Sequence, residues 1–251
     1  MPLSDRRARH ARLAARLASF DDVGLATVVD SGRANGVGVG GASGVLDVDG
    51  VPVFVKRIPL TDREFARPHS TANLFGLPLC CQYGVGGPGF NAWRELAANL
   101  IVTDGVLAGQ TESFPMLHHW RVLPGRPDTA AEHADVDAVV AAFGGSTAVR
   151  ARLDALAAAS RSLVLFSEYV PHPLRGWLNE DPVGKADTVE RQLDGIVAFL
   201  RDRELLHLDG HVENMRTDGE RIYLADFGLA TSPRFELTAA EREFVRRNAS
   251  H

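Results

Sequence analysis

The sequence predicts an α+β protein in which a small antiparallel sheet precedes a mainly helical region. Three observations carry this. Residues 45–48 and 51–58 are two β-branched, apolar runs joined by Asp49-Gly50, a dipeptide suited to the left-handed backbone of a two-residue hairpin turn. Val189, Leu193, Ile196, Val197 and Leu200 recur with a helical period. At 251 residues, with 45% hydrophobic and 24% charged side chains, the chain suits one or two domains, or one domain with two lobes.

Taken in order, residues 1–20 carry Leu13, Leu17 and Phe20 at helical spacing. They predict a helix that lays one side on the body of the protein while its arginines face solvent. After Asp21 and Asp22 the run of Val, Thr and Gly reads as the start of the sheet. Residues 59–89, with several Pro and Gly, read as a long excursion with short helical pieces. A helix follows near Asn91 over residues 91–100, then a strand over 114–123. Residues 124–162 hold two Ala-rich helices broken at Gly144-Gly145, an inserted helical hairpin. Residues 163–171 are a buried strand running into a connector, 174–178 a short helix, 222–224 a strand and 238–247 a charged helix. The resulting division is an N-terminal helical extension (1–22), a sheet-bearing part (23–170) with insertions at 59–89 and 124–162, and a shorter part from 171 to 251.

Net charge is −5 and the isoelectric point about 6.0. No global basic field draws in nucleic acid. No apolar run approaches the ~20 residues that span a bilayer, and no membrane association is expected. Cys80 and Cys81 are adjacent and cannot make a disulfide framework, so reduced thiols of a cytoplasmic protein are expected.

The chemistry concentrates in His207-Leu208-Asp209-Gly210-His211-Val212-Glu213-Asn214 and Leu224-Ala225-Asp226-Phe227-Gly228. Transfer of a phosphoryl group to an alcohol asks a protein for positioning and charge neutralisation rather than covalent chemistry. Magnesium takes hard oxygen ligands and keeps several waters, so one amide oxygen and one carboxylate suffice beside the phosphates. Asn214 and Asp226 meet that demand. Asp209, in the same loop as Asn214, suits the role of base toward a hydroxyl.

Gly36, Gly38 and Gly41 satisfy Gly-x-Gly-x-x-Gly, which lets a backbone approach phosphates and offer them its amides. A hairpin follows where a dinucleotide-binding unit would open a helix, which disfavours that fold. Lys56 ends the apolar run of the second strand, and the chain's only other lysine is Lys185. A compact ammonium there can reach between two phosphates. Glu95, on the helix that starts near Asn91, can hold it in place.

Together these residues resemble the protein-kinase-like superfamily, which includes eukaryotic-like Ser/Thr kinases and the aminoglycoside and choline phosphotransferases. The landmarks run in the family's order from about Gly32 to Gly228. The resemblance implies two lobes, a small five-stranded antiparallel sheet and an abbreviated, mainly helical C-lobe, with ATP and magnesium as cofactors. By it Gly36, Gly38 and Gly41 cover the phosphates, Lys56 contacts them under the hold of Glu95, and the backbone of Glu168 and Val170 binds adenine with Ser167 in the gatekeeper place. Asp209 is the catalytic base, Asn214 and Asp226 bind magnesium, and His207 braces the loop near Phe227.

The chain departs from the protein-kinase pattern in three ways. Leu208 stands where protein kinases usually have Arg, so control by activation-loop phosphorylation is not expected. His211 stands where Ser/Thr kinases have Lys, as in the aminoglycoside and choline enzymes, and can still meet the transferring phosphate. No Ala-Pro-Glu follows Gly228, and no peptide-seating helices are expected in the residues that follow, which implies either a minimal fold or a shortened form of a longer chain. The expected activity is transfer of the ATP γ-phosphate to a hydroxyl, of protein Ser/Thr first and of a small molecule second. A nucleotide-binding scaffold without turnover is the non-enzymatic alternative.

Overall fold

The computed structural model describes residues 1–38, 40–83 and 86–248. Val39 of the Gly-rich run, Gly84 and Val85 of the excursion, and residues 249–251 lie outside them. Helices α1 (Leu3–Ala18) and α2 (Asp22–Asp30) come first, then strands β1 (Arg33–Gly38), β2 (Gly41–Val48) and β3 (Val51–Leu60). A one-turn helix α3 (Asp62–Phe65), the long α4 (Ala92–Leu107), β4 (Leu117–Pro124), α5 (Val136–Ala142), α6 (Thr147–Ala157) and β5 (Arg161–Glu168) follow. The rest is β6 (His172–Pro173), α7 (Leu174–Glu180), α8 (Pro182–Asp202), β7 (Met215–Thr217), β8 (Ile222–Leu224) and α9 (Ala239–Asn248). The strands form an antiparallel five-stranded sheet in the order β1-β2-β3-β5-β4 and a three-stranded sheet in the order β6-β7-β8. This mixed α/β architecture is compatible with two lobes.

One expectation fails at the start of the sheet. The segment after Asp22 is α2, not a strand. Asp21 caps it by accepting from the Gly24 amide at 2.7 Å, and Leu25, Val28 and Val29 then fall on one face, where they pack with Leu13 and Leu17 of α1. Cap and period override the β-branched composition. The strand expected over 114–123 also begins later, at Leu117.

Both faces of the large sheet are covered, which is why its central strands are apolar throughout. Val53 and Val55 of β3 and Val164 and Phe166 of β5 pack under α1 and α2. Ile58 and Leu60 of β3 and Leu163 and Leu165 of β5 pack on Trp93 and Leu96 of α4. Lys56 has the even parity of Ile58, so the strand's alternation turns it toward α4. The far half of α4 leaves the sheet and enters a second core, where Val102 and Val106 meet Phe199 of α8, Ile222 and Leu224 of β8, and Phe227. One helix thus takes part in both cores.

The two expected insertions pack on each other. Phe75, Leu77 and Cys81 from the first, with Phe90 just after it, form a cluster with Val140 of α5 and Val149 and Leu153 of α6. Buried Glu64 pairs with buried Arg152 at 2.8 Å across them. Cys80 and Cys81 are free thiols. No helix among the described residues is long and apolar enough to cross a membrane.

The arginines of α1 do not all face water, as the sequence suggested. Arg6 lies about two helical turns before Leu13 on the same face and is fully buried. Its Nε and Nη2 donate to Glu168 Oε1 and Oε2 at 3.0 and 2.7 Å, and Nη1 and Nη2 donate to the carbonyls of Glu112 and Phe114 at 2.7 and 2.8 Å. The guanidinium also lies 5.0 Å from the Tyr223 ring centroid. Helix α1 is therefore bolted to the end of β5, to the loop entering β4, and against β8.

Removing one member of such a pair leaves the other buried and uncompensated. Arg6→Ala is expected to lower stability by about 3–5 kcal/mol, measured by urea unfolding. Adding Glu168→Gln should recover part of the loss, and a loss below about 1 kcal/mol for the single variant would show the pair to be as weak as an exposed one.

Candidate active site

The site is built where β3, α4 and the segment after β8 meet. Lys56 Nζ lies 2.8 Å from Glu95 Oε1 and 2.8 Å from Asp226 Oδ1. Glu95 sits in the first turn of α4, whose N-cap Asn91 accepts from the Trp93 amide at 2.9 Å. Burial alone would lower the Lys56 pKa, but Asp226 and Glu95 together raise it above the ordinary lysine value. The nearby Lys56 charge holds Asp226 below the usual carboxylate range. Burial pushes Glu95 up, Lys56 opposes and Asp226 adds to the push, leaving it at about 7. One ammonium is thus shared by a fixed carboxylate and a titrating one.

The loop from His207 to Asn214 is tied to the same place through β7 and β8. Their register pairs Met215 with Leu224, and the next pair inward closes with the Ala225 amide donating to the Asn214 carbonyl at 2.9 Å. His207 Nε2 donates to the Ala225 carbonyl at 3.0 Å while its Nδ1 accepts from the Asp209 amide at 3.3 Å. Both ring nitrogens are used by a neutral imidazole, and burial keeps its pKa below the ordinary value. The ring lies 4.8 Å from that of buried Phe227.

Asn214 Nδ2 donates to Asp209 Oδ2 at 2.8 Å and to the Asp209 carbonyl at 3.0 Å. Its amide oxygen is left turned away from those donations and accepts no hydrogen bond from the described residues. His211 Nε2 lies 3.3 Å from Asp209 Oδ1, and its Nδ1 accepts from the Glu213 amide at 3.2 Å. Leu208 and Asp226 both take left-handed backbone, with φ of 62° and 61°. Such φ values cost non-glycine residues about 1–2 kcal/mol each. At Asp226 the turn lets the Gly228 amide donate back to Oδ1 at 3.2 Å.

Two cavities meet at this cluster. The smaller, of about 220 Å³, is lined by Phe54, Lys56, Leu165, Ser167, Glu168, Tyr169, Val170, Glu95, Asn214, Arg216, Asp226 and Phe227 among others. The larger, of about 720 Å³, takes in Gly38, Gly40, Gly41, Glu95, Asp209, His211 and Asp226. Glu95 and Asp226 line both. Of the residues the sequence singled out, Gly36 lines neither and sits exposed at a bulge in β1. The Glu168 amide is spent on the Met116 carbonyl at 2.9 Å, and the Val170 carbonyl accepts from Arg216 Nε at 3.2 Å, which leaves the Val170 amide for a ligand.

The glycine turn descends onto the cluster. A Cβ on Gly40 would stand 3.0 Å from Lys56 Nζ, and one on Gly41, whose φ is +115°, would collide with the Arg57 carbonyl at 2.1 Å. Sequence reasoning did not single out Gly40, Phe54, Leu165 or Arg216. The parity of β3 and β5 with Lys56 and Ser167 was the signal for Phe54 and Leu165, whereas nothing local marks Arg216.

No protein-family model matches the sequence, and no curated protein matches it. The functional reading therefore rests on the residues and their geometry.

Between the ordinary glutamate value of 4.5 and about 7, the folded chain holds a proton at Glu95 that the unfolded chain has lost. This site's contribution to stability accordingly falls as pH rises through that window. The wild type is expected to lose stability relative to Glu95→Gln between about pH 4 and pH 8, on the order of 3 kcal/mol. Urea unfolding of both proteins across that range measures it; a constant difference would mean that Glu95 titrates alike in both states.

Proposed function

We propose that this chain is a protein-kinase-like phosphotransferase that moves the γ-phosphate of ATP to a hydroxyl. The observation that carries the reading is the meeting of Lys56 with Glu95 and Asp226 at 2.8 Å contacts, the two carboxylates lining both cavities. A reaction between two molecules needs two compartments that open on one set of reacting atoms.

In this reading the 220 Å³ cavity houses the nucleotide, with adenine between the apolar side chains Phe54, Leu165 and Phe227 and the Val170 amide. Lys56 meets the phosphates, and the turn at Gly38, Gly40 and Gly41 lies over them. The donor set fits magnesium. The Asn214 amide oxygen is free, as is the Asp226 oxygen not held by Lys56 and Gly228, and two hard oxygens are what magnesium takes from a protein beside phosphates and water. Magnesium bound there would neutralise charge on the phosphate oxygens.

Asp209 orients the hydroxyl and accepts its proton as the new P–O bond forms and the bond from the γ-phosphorus to the β–γ bridging oxygen breaks. ADP leaves with the electron pair of that bond. The Asn214 amide holds the Asp209 carboxylate in position. His211, on the other oxygen of that carboxylate, faces the same compartment and can donate to the transferring phosphate. A protein Ser/Thr acceptor is supported by the sequences around Asp226 and Glu168. A small-molecule acceptor is supported by the large cavity at Asp209.

The test is transfer from γ-labelled ATP with magnesium, run with wild type, Asp226→Ala and Asp209→Ala against a lysate and a panel of small alcohols. Asp209→Ala should cut transfer by about 10²-fold or more while nucleotide affinity changes by less than about threefold. Asp226→Ala should remove the magnesium dependence of nucleotide binding. Nucleotide binding without Asp226-dependent label on any acceptor would replace the enzyme by a nucleotide-responsive scaffold.

A further inference from the structure

We infer that the 720 Å³ cavity, beyond the end where the glycine turn lies over the phosphates, is the acceptor site, and that it takes a neutral, drug-sized alcohol with an apolar body rather than a polypeptide or a polycationic sugar. The inference rests on the phosphotransferase reading and goes beyond it by naming the acceptor class. The volume falls within the ~300–1,000 Å³ of sites that enclose drug-sized ligands.

The walls decide the chemistry. They come mainly from the two inserted stretches, which supply Tyr83, Pro127, Ala134, Leu156 and Ala157, while Phe90 follows the first of them and β3 adds Ile58. Several polar groups on these walls are engaged within the protein, while buried Arg152 Nε makes no hydrogen bond among the described residues. His133 Nε2 donates to the Gly86 carbonyl at 2.9 Å, and the Arg152 charge is met by Glu64 at 2.8 Å. Arg126 Nη1 donates to the Pro127 carbonyl at 2.9 Å. The His133 contact also closes one loop on the other, which bounds a chamber where a peptide would need an open track for its backbone.

A polycationic acceptor needs carboxylates away from the reacting end. Asp128 is the acidic residue the inserted walls supply to the lining among the described residues; the other carboxylates there, Glu95, Asp209 and Asp226, belong to the transfer cluster. The adjacent acidic pair Glu180 and Asp181 does not line the cavity. Glu180 pairs with Lys185 at 3.1 Å and Asp181 caps α8. An apolar body gains from burial at roughly 25 cal/mol per Å², while a polycation would lose hydration without gaining partners.

The inserted walls also allow a clean test. Ala157, at the end of α6, and Ala134, on the facing loop, are exposed yet line the chamber, so Ala157→Trp and Ala134→Trp narrow it without displacing core. Transfer of label from γ-labelled ATP is measured with aryl and alicyclic alcohols, polyamino sugars and Ser/Thr peptides, and ADP–magnesium binding is measured separately. The expected result is label on the apolar alcohols, reduced at least tenfold by either Trp variant, with ADP affinity unchanged. Label confined to peptides or polyamino sugars, or label indifferent to both variants, overturns the acceptor class and leaves the phosphotransferase reading intact. Wild type that binds no ADP with magnesium overturns both.

Discussion

The fold depends on a buried cation placed between two carboxylates, Glu95 and Asp226, that are distant in the chain. An ammonium in an apolar layer is expensive unless it is paired, and Lys56 is held at 2.8 Å by both Glu95 and Asp226. These contacts join β3, α4 and the segment after β8, whose apolar residues belong to separate cores. The helix α4 contributes to each core, so its position is over-determined by packing before the charges meet. Packing brings the three groups close, and the charges then fix which atoms touch.

That arrangement has a consequence for the state of the cluster. Asp226 shares the ammonium with Glu95, and Glu95 sits at about 7, so the strength of its claim on Lys56 changes within the physiological range. With Glu95 protonated, Asp226 is the charged partner of Lys56. With Glu95 ionised, the ammonium has a second anion, and Asp226 is correspondingly freer to turn an oxygen outward. The left-handed backbone at Asp226 supports this position by using the Gly228 amide to hold the oxygen that faces Lys56.

Much of this was legible because it is local. The Asp49-Gly50 turn has both residues at positive φ, as a two-residue hairpin requires, and the break at Gly144-Gly145 falls between α5 and α6. The closeness of Lys56 to Glu95, and of Asn214 to Asp226, follows from alternation in β3, the cap at Asn91 and the register of β7 with β8. The misses are tertiary. Nothing beside Arg6 says that its partner is Glu168, 162 positions away, so an arginine on a charged helix reads as solvated. Val and Thr after Asp22 suggest a strand until Leu25 is seen to share a core with Leu13 and Leu17. The bond from Lys56 to Asp226 was likewise hidden, because Asp226 invites assignment to a metal and its second task is visible only in three dimensions.

The insertions show the same limit from the other side. Read separately, residues 59–89 and 124–162 are interruptions of a sheet. Packed together through Phe75, Leu77, Val140 and Leu153, and cross-linked by Glu64 and Arg152, they become a further apolar cluster. Glu64 and Arg152 pair inside it, and its helices are capped by Asp135 and Ser146. Walls placed against Asp209 and His211 define a volume, and a preformed volume favours the molecule that fills it over one that must reorder it. The inserted segments thus supply most of the apolar walls of that volume, while the charged groups at its inner end, Glu95, Asp209 and Asp226, come from elsewhere in the chain.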